Sequence, residues 1–218
     1  MSLPLFAITT VLFQNFKGNM RITGGNLRSR ASDTKGLLGA RPTTDRARET
    51  VFNLALNHRD LTEARVLDVC AGSGALGFEA LSRGAKQAVF VEKSRQNCAV
   101  ISRNADALGV LTASLVVCAD AERWLLRQQL NAEERSESEQ ASGYEGFDCV
   151  FCDPPYAARL GQRIFNALDV SGAVEVGGLF VVEHDARERI APPASALWIK
   201  LTERILGETI IEFYQRER

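Results

Sequence analysis

Val66-Leu67-Asp68-Val69-Cys70-Ala71-Gly72-Ser73-Gly74-Ala75-Leu76-Gly77 reads as a strand, a glycine turn and the start of a helix. Working outward, apolar runs alternate with helical patterns. Strands are predicted at 65–70, 87–92, 114–118, 147–152 and 177–183, and helices at 75–83, 94–108, 120–130 and 158–169. That alternation is the signature of a parallel sheet with crossover helices. The end of the chain breaks the rhythm. Trp198 to Ile205, Gly207, then Thr209 to Tyr214 read as an antiparallel hairpin. The expected fold is α/β, a mostly parallel seven-stranded sheet closed by a C-terminal antiparallel hairpin. Ahead of the sheet, the Gly-punctuated stretches Arg21 to Arg30 and Lys35 to Arg41 predict a small N-terminal β-hairpin arm. Arg41-Pro42-Thr43-Thr44 then leads into a helix capped by Thr43 or Thr44, with an apolar stripe of Ala47, Val51, Leu54 and Ala55.

A second stretch carries chemistry. Asp153-Pro154-Pro155-Tyr156 follows the apolar run Phe147 to Cys152. Two prolines stop a sheet abruptly, because neither donates to the ladder and both fix φ. The carboxylate and the ring are thereby held at a strand's C-terminal end, the edge where open α/β sheets bind ligands. An acceptor carboxylate, a proline carbonyl and a flat ring together suit a planar group bearing an NH2. Asp153, Pro154 and Tyr156 are the candidate catalytic residues.

Composition bounds the rest. A chain of 218 residues, 45% hydrophobic, makes one domain with an appendage. The net charge is −1, yet residues 21–59 carry +5 and residues 60–218 carry −7. A basic segment on an acidic body points to a polyanion on one face. Arg21, Arg28, Arg30, Lys35, Arg41, Arg46 and Arg48 are its candidate polyanion contacts, with a solvated basic surface as the other reading. Five cysteines, an odd count without secretory context, read as reduced thiols of a cytosolic protein. Cys149 and Cys152 are spaced C-x-x-C, but positions i and i+3 of a strand face opposite ways. With only His58 and His184, a zinc site has little to draw on, and no metal is expected. Leu3 to Phe13 is too short to span a membrane. Residues 1–20 read as an extension ahead of a start near Met20. Residues 21–42 read as the arm, and 43–218 as the main domain with a polar, Ser-rich insertion at 131–146.

Gly72-Ser73-Gly74-Ala75-Leu76-Gly77 fits G-x-G-x-x-G, which alone admits a dinucleotide. Asp68 argues otherwise. A dinucleotide loop turns amides and a helix N-terminus toward a pyrophosphate, and a carboxylate just before it repels that ligand. S-adenosylmethionine has no phosphate and carries an ammonium, so an acid beside glycine backbone suits it better. Glu92, ending the next strand, stands where an acid accepts both ribose hydroxyls; it also reads as a helix-start acid before Ser94. Asp120 ends the third strand, where it can accept from an adenine amino group or cap the helix carrying Trp124 and Leu125.

With these motifs placed, the chain resembles the ribosomal small-subunit methyltransferase D family. These RNA methyltransferases modify the N2 amine of one guanine in 16S ribosomal RNA. The resemblance runs from Arg21 to about Arg216. It rests on Arg21-Ile22-Thr23-Gly24-Gly25, on Arg41-Pro42-Thr43-Thr44-Asp45-Arg46-Ala47-Arg48-Glu49-Thr50-Val51-Phe52-Asn53, on the glycine loop, on Asp153-Pro154-Pro155-Tyr156 and on Tyr214-Gln215-Arg216. It implies a Rossmann-like class I methyltransferase fold, with S-adenosylmethionine held at Asp68, Gly72, Gly74, Glu92 and Asp120. It implies the target base at Asp153 to Tyr156 and RNA docked on the basic arm. A cytoplasmic monomer acting on 16S rRNA in an assembling 30S subunit follows from the same resemblance. Cys70 stands where an aromatic is common. The double-proline turn equally fits methylation of adenine N6 in DNA or of a protein glutamine. An NAD-dependent oxidoreductase and a cofactor-free RNA-binding module remain as readings from other classes.

Overall fold

The structure, a computed structural model, describes residues 20–38, 44–133, 146–155 and 159–217. A two-stranded ribbon, β1 (Met20–Arg21) and β2 (Ala31–Ser32), precedes helix α1 (Asp45–His58). Then follow β3 (Arg65–Val69), α2 (Ala75–Ser82), β4 (Gln87–Glu92), α3 (Arg95–Leu108), β5 (Ser114–Cys118), α4 (Ala121–Glu133), β6 (Phe147–Cys152) and α5 (Leu160–Ser171). The chain closes with β7 (Val174–Asp185), β8 (Trp198–Leu206) and β9 (Thr209–Arg216). The seven-stranded sheet runs β5-β4-β3-β6-β7-β9-β8. Its first five strands are parallel, and β9 pairs antiparallel with both β7 and β8. Chain order reverses between β3 and β6, which opens a crevice above their C-terminal ends.

Both faces of the sheet are covered, so its strands read as continuous apolar runs. On one face Val66, Phe90, Phe151 and Val181 pack with Val51 and Phe52 of α1, Phe78 of α2 and Ile101 of α3. On the other, Leu67, Val91, Cys152, Phe180 and Val182 pack with Leu125 of α4 and Ile164 and Phe165 of α5. Thr44 caps α1, its Oγ1 accepting from the Ala47 amide at 3.2 Å. Strand β7 is longer than the expected 177–183, because Val174 pairs with Phe147 of β6 at one end and pairing with β9 carries it to Asp185 at the other.

The N-terminal arm is built into the domain, which revises its reading as an appendage. Ile22 is buried in the core under α1 and α2, a burial that contributes roughly 1.5–3 kcal/mol. The carboxylate of Glu79, fully buried in α2, accepts from the Thr23 and Gly24 amides and the Thr23 hydroxyl, each at 2.8 Å. Gly25 has φ +74, and a Cβ there would overlap the Ser82 carbonyl of α2. Farther along, Asn97 and Asn104 lie two turns apart on one face of α3. They bracket the backbone of Leu38 and Asp33 through paired amide bonds of 2.9–3.3 Å. Met20 belongs to β1 rather than to the preceding extension, and residues 131–133 belong to α4 rather than to the insertion. Residues 1–19 and 134–145, which hold the rest of the extension and the insertion, lie outside the described residues.

Candidate active site

The crevice above β3 and β6 is a cavity of about 700 Å³, within the usual range for small-molecule sites. Strand ends supply its acids: Asp68 from β3, Glu92 from β4, Asp120 after β5, Asp153 after β6 and Glu183 from β7. Arg46 and Lys93 are the charged groups of opposite sign among its described lining residues. The first turn of α1 and the tip of the β8–β9 hairpin close it from the sides. Among the described residues no cluster of metal-ligating groups occurs, and no helix is long and apolar enough to cross a membrane.

Three of these carboxylates hold their own backbone. Asp68 is buried and accepts from the Gly77 amide at 2.9 Å, tying strand β3 to the first turn of α2. Burial pushes its carboxyl well above the ordinary range; the Gly77 bond opposes that shift, and the Asp153 and Glu92 charges add to it. Glu92 accepts from the Gly72 amide at 2.9 Å and the Ser94 amide at 2.8 Å, so it ties the glycine loop to Ser94, which itself caps α3. Asp120 accepts from the Arg123 amide at 3.1 Å, the helix-cap geometry, while remaining exposed at the cavity wall. Glu92 and Asp120 thus hold nearby backbone while also lining the cavity. Cys70 sits at the β3 exit with φ +60, and burial pushes its thiol up to about 12, which leaves it unreactive.

A family model described as "Conserved hypothetical protein 95" matches residues 20–215. "Ribosomal RNA small subunit methyltransferase D" of Escherichia coli K12 is 33% identical over 200 residues, covering 92% of this chain and 91% of that protein. The protein of the same name from Haemophilus influenzae is 30% identical over 201 residues, covering 92% and 96%. The chain belongs to this methyltransferase family. Solved structures agree: yhhF from Escherichia coli superposes with a TM-score of 0.72 at 32% identity, covering 92% of this chain and 99% of that one. A hypothetical protein from Thermus thermophilus, TTHA0928, gives 0.71 at 30% identity, covering 91% and 99%.

The residues of this family member fit S-adenosylmethionine and do not fit a dinucleotide. The Gly77 amide, one of those that a helix N-terminus would turn toward a pyrophosphate, is already taken by Asp68. A cavity with five described acids against two bases repels phosphate and favours a sulfonium and an ammonium. The fold brings Asp68, Gly72, Glu92, Asp120, Asp153, Pro154 and Arg46 together around one cavity. Gly74 is not among its lining residues. With φ +78, a Cβ at Gly74 would press on the Phe78 ring at 2.8 Å and the Phe90 ring at 3.2 Å, so this glycine serves the turn and the core beneath.

Two of the expected RNA contacts bond within the protein, and one of them, Arg48, is buried. Arg48 is 1% exposed; it pairs with Asp45 at 2.7 Å and Glu79 at 3.4 Å and donates to the Arg21 carbonyl at 2.6 Å. It ties α1 to α2 and the arm, and a phosphate cannot reach it. Arg30 donates to the Leu108 and Ala107 carbonyls at 2.8 and 2.5 Å, which caps the C-terminus of α3. Arg21, Arg28, Arg30, Lys35 and Arg46 are exposed. Arg41 and Tyr156 lie outside the described residues. Glu183 was absent from the expected site, although an acid ending a parallel strand is the same signal that marked Glu92 and Asp120.

Proposed function

We propose that this chain transfers a methyl group from S-adenosylmethionine to the N2 amine of a specific guanine in 16S ribosomal RNA. The observation that supports it most is Asp153-Pro154 at the β6 edge, lining the same cavity as Asp68, Gly72 and Glu92. Bound S-adenosylmethionine supplies an electrophilic methyl group on a sulfonium. Everything else falls to the protein. The Asp68, Glu92 and Asp120 side receives the amino-acid, ribose and adenine parts, through charge and the remaining acceptor positions of the carboxylates.

On the other side, the guanine N2 lone pair is delocalised into the ring and is a poor nucleophile. The Asp153 carboxylate and the Pro154 carbonyl each accept one N–H bond, which favours a pyramidal nitrogen with its lone pair directed toward the cofactor side. Tyr156 stacks on the extruded base. Alignment of this kind supplies roughly 7–11 kcal/mol of barrier reduction. Once methylated, the amine loses its proton readily, so Asp153 need not be a strong base. The exposed Arg21, Arg28, Lys35 and Arg46 dock the RNA backbone. The protein works as a cytoplasmic monomer on rRNA of the assembling small subunit.

The test uses labelled cofactor with naked 16S rRNA and with small-subunit particles, followed by mapping of the labelled nucleotide. Label on N2 of one guanine is expected. Label on adenine N6, or on protein, would overturn the reading.

A further inference from the structure

We propose that Glu183 selects guanine by accepting the ring N1–H beside the amine that Asp153 holds. The inference rests on the guanine reading above and names the residue that enforces it.

The placement follows from register. Strands β6 and β7 run parallel, with Cys152 opposite Val182. Continued by one residue, that register sets Asp153 opposite Glu183. Phe151 and Val181 belong to the core beneath α1, and Cys152 and Val182 to the core on the other face. Side chains alternate along a strand, so Glu183 returns to the α1 side. Thr44, Arg46 and Ala47 of the first turn of α1 line the cavity there, together with Glu183, Asp153 and Pro154. Antiparallel pairing sets Asp185 opposite Thr209, which brings Leu206, Gly207 and Thr209 of the hairpin against the same wall. Glu183 thus stands beside Asp153, on neighbouring strands, at the part of the cavity away from Glu92 and Asp120.

Two carboxylates side by side offer acceptors and no donors. Guanine presents the complementary edge: the N2 amine and the N1–H are adjacent donors. Adenine presents a donor amine at N6 flanked by the N1 lone pair, which a carboxylate at Glu183 repels. A site built to accept a substrate N–H disfavours an analogue that turns a lone pair toward the same acceptor. Glu183 is therefore a specificity-determining residue: Asp153 alone accepts any planar amine, and the second acid narrows the choice to the guanine edge.

The test begins once the labelled nucleotide is mapped, using an RNA oligonucleotide that carries it either as guanine or as 2-aminopurine. The latter keeps the amine and lacks N1–H. Equilibrium binding is measured with S-adenosylhomocysteine present, and methyl transfer in parallel, for the native protein and for Glu183→Gln and Glu183→Ala. The native protein should prefer guanine by about 10- to 100-fold in binding, and Glu183→Ala should reduce that preference to a few-fold. S-adenosylhomocysteine affinity, the control for folding, should not change. Equal binding of the two oligonucleotides by native protein, or a full preference retained in Glu183→Ala, would overturn the assignment. If the alanine variant fails the folding control, Glu183→Asp replaces it, and it should lower the guanine preference at least threefold. A mapped nucleotide other than guanine would instead remove the underlying reading, so the two failures are distinguishable.

Discussion

The two sides of the cavity are built differently. On the side of β3, β4 and β5, Asp68, Glu92 and Asp120 each accept from a nearby backbone amide. These carboxylates hold the glycine loop and the approaches to three helices in place, so each is part of the fold while lining the cavity. On the side of β6 and β7, Asp153 follows the end of β6 and Glu183 stands on the neighbouring β7, with Pro154 and Pro155 after the end of β6. The difference teaches a division of labour. Substitution on the first side should change cofactor affinity and stability; substitution on the second should change rate and base choice.

The largest expected effect is on the second side. Asp153→Ala should lower the methyl-transfer rate constant by roughly 10²–10³-fold, the loss typical of one placed transition-state hydrogen bond. S-adenosylhomocysteine affinity, read by calorimetry, should stay within a few-fold. A cofactor affinity that collapses with the rate would show that the two sides are not separable. Glu92→Ala is the counterpart. It frees the Gly72 and Ser94 amides, and S-adenosylhomocysteine binding should weaken by about 10- to 100-fold.

Asp68 sharpens the comparison through pH. Its carboxyl is raised by burial, and a bound ammonium or sulfonium favours the ionised form, so cofactor binding lowers its pKa and releases a proton. Affinity should therefore climb as pH rises from about 4 through the raised value, then level off. In the free protein the sign reverses: a raised carboxyl lowers folding stability across that same window as it ionises. Asp68→Asn should flatten both dependences, measured by calorimetry and by urea unfolding at several pH values.

The smallest effects belong to the basic surface. Arg28→Ala and Arg46→Ala should each weaken RNA binding a few-fold and reduce the salt slope by about 0.7. Arg30→Ala is the contrast. Its guanidinium caps α3, so the slope should not change, while thermal stability falls by an amount typical of a lost helix-end contact, about 0.3–1 kcal/mol.

The order of strands and helices, the closing hairpin and the principal site acids were legible in the residue string. Their signals are local: apolar periodicity, glycine and proline punctuation, and an acid at a strand end. The arm was harder. Arg21 to Arg41 reads as a hairpin arm ahead of the domain, since nothing in the string pairs Gly24 with Glu79 or Asp33 with Asn104.

What the amino-acid sequence determined by itself is the set of backbone events that need no distant partner. These include the turn at Gly72 to Gly77, the stop at Pro154 and Pro155 and the cap at Thr44. Tertiary structure decided the fate of each polar side chain. Arg46 and Arg48 stand two residues apart on one helix, yet Arg46 lines the cavity and Arg48 is sealed against Glu79. Gly74 matches a ligand-binding pattern, and its missing Cβ accommodates Phe78 and Phe90. Glu183 gained a place beside Asp153 only through the register of β6 and β7. Charge and size are written in the chain, whereas burial and partner depend on which elements pack together, because a desolvated charge persists only where a distant residue pairs with it.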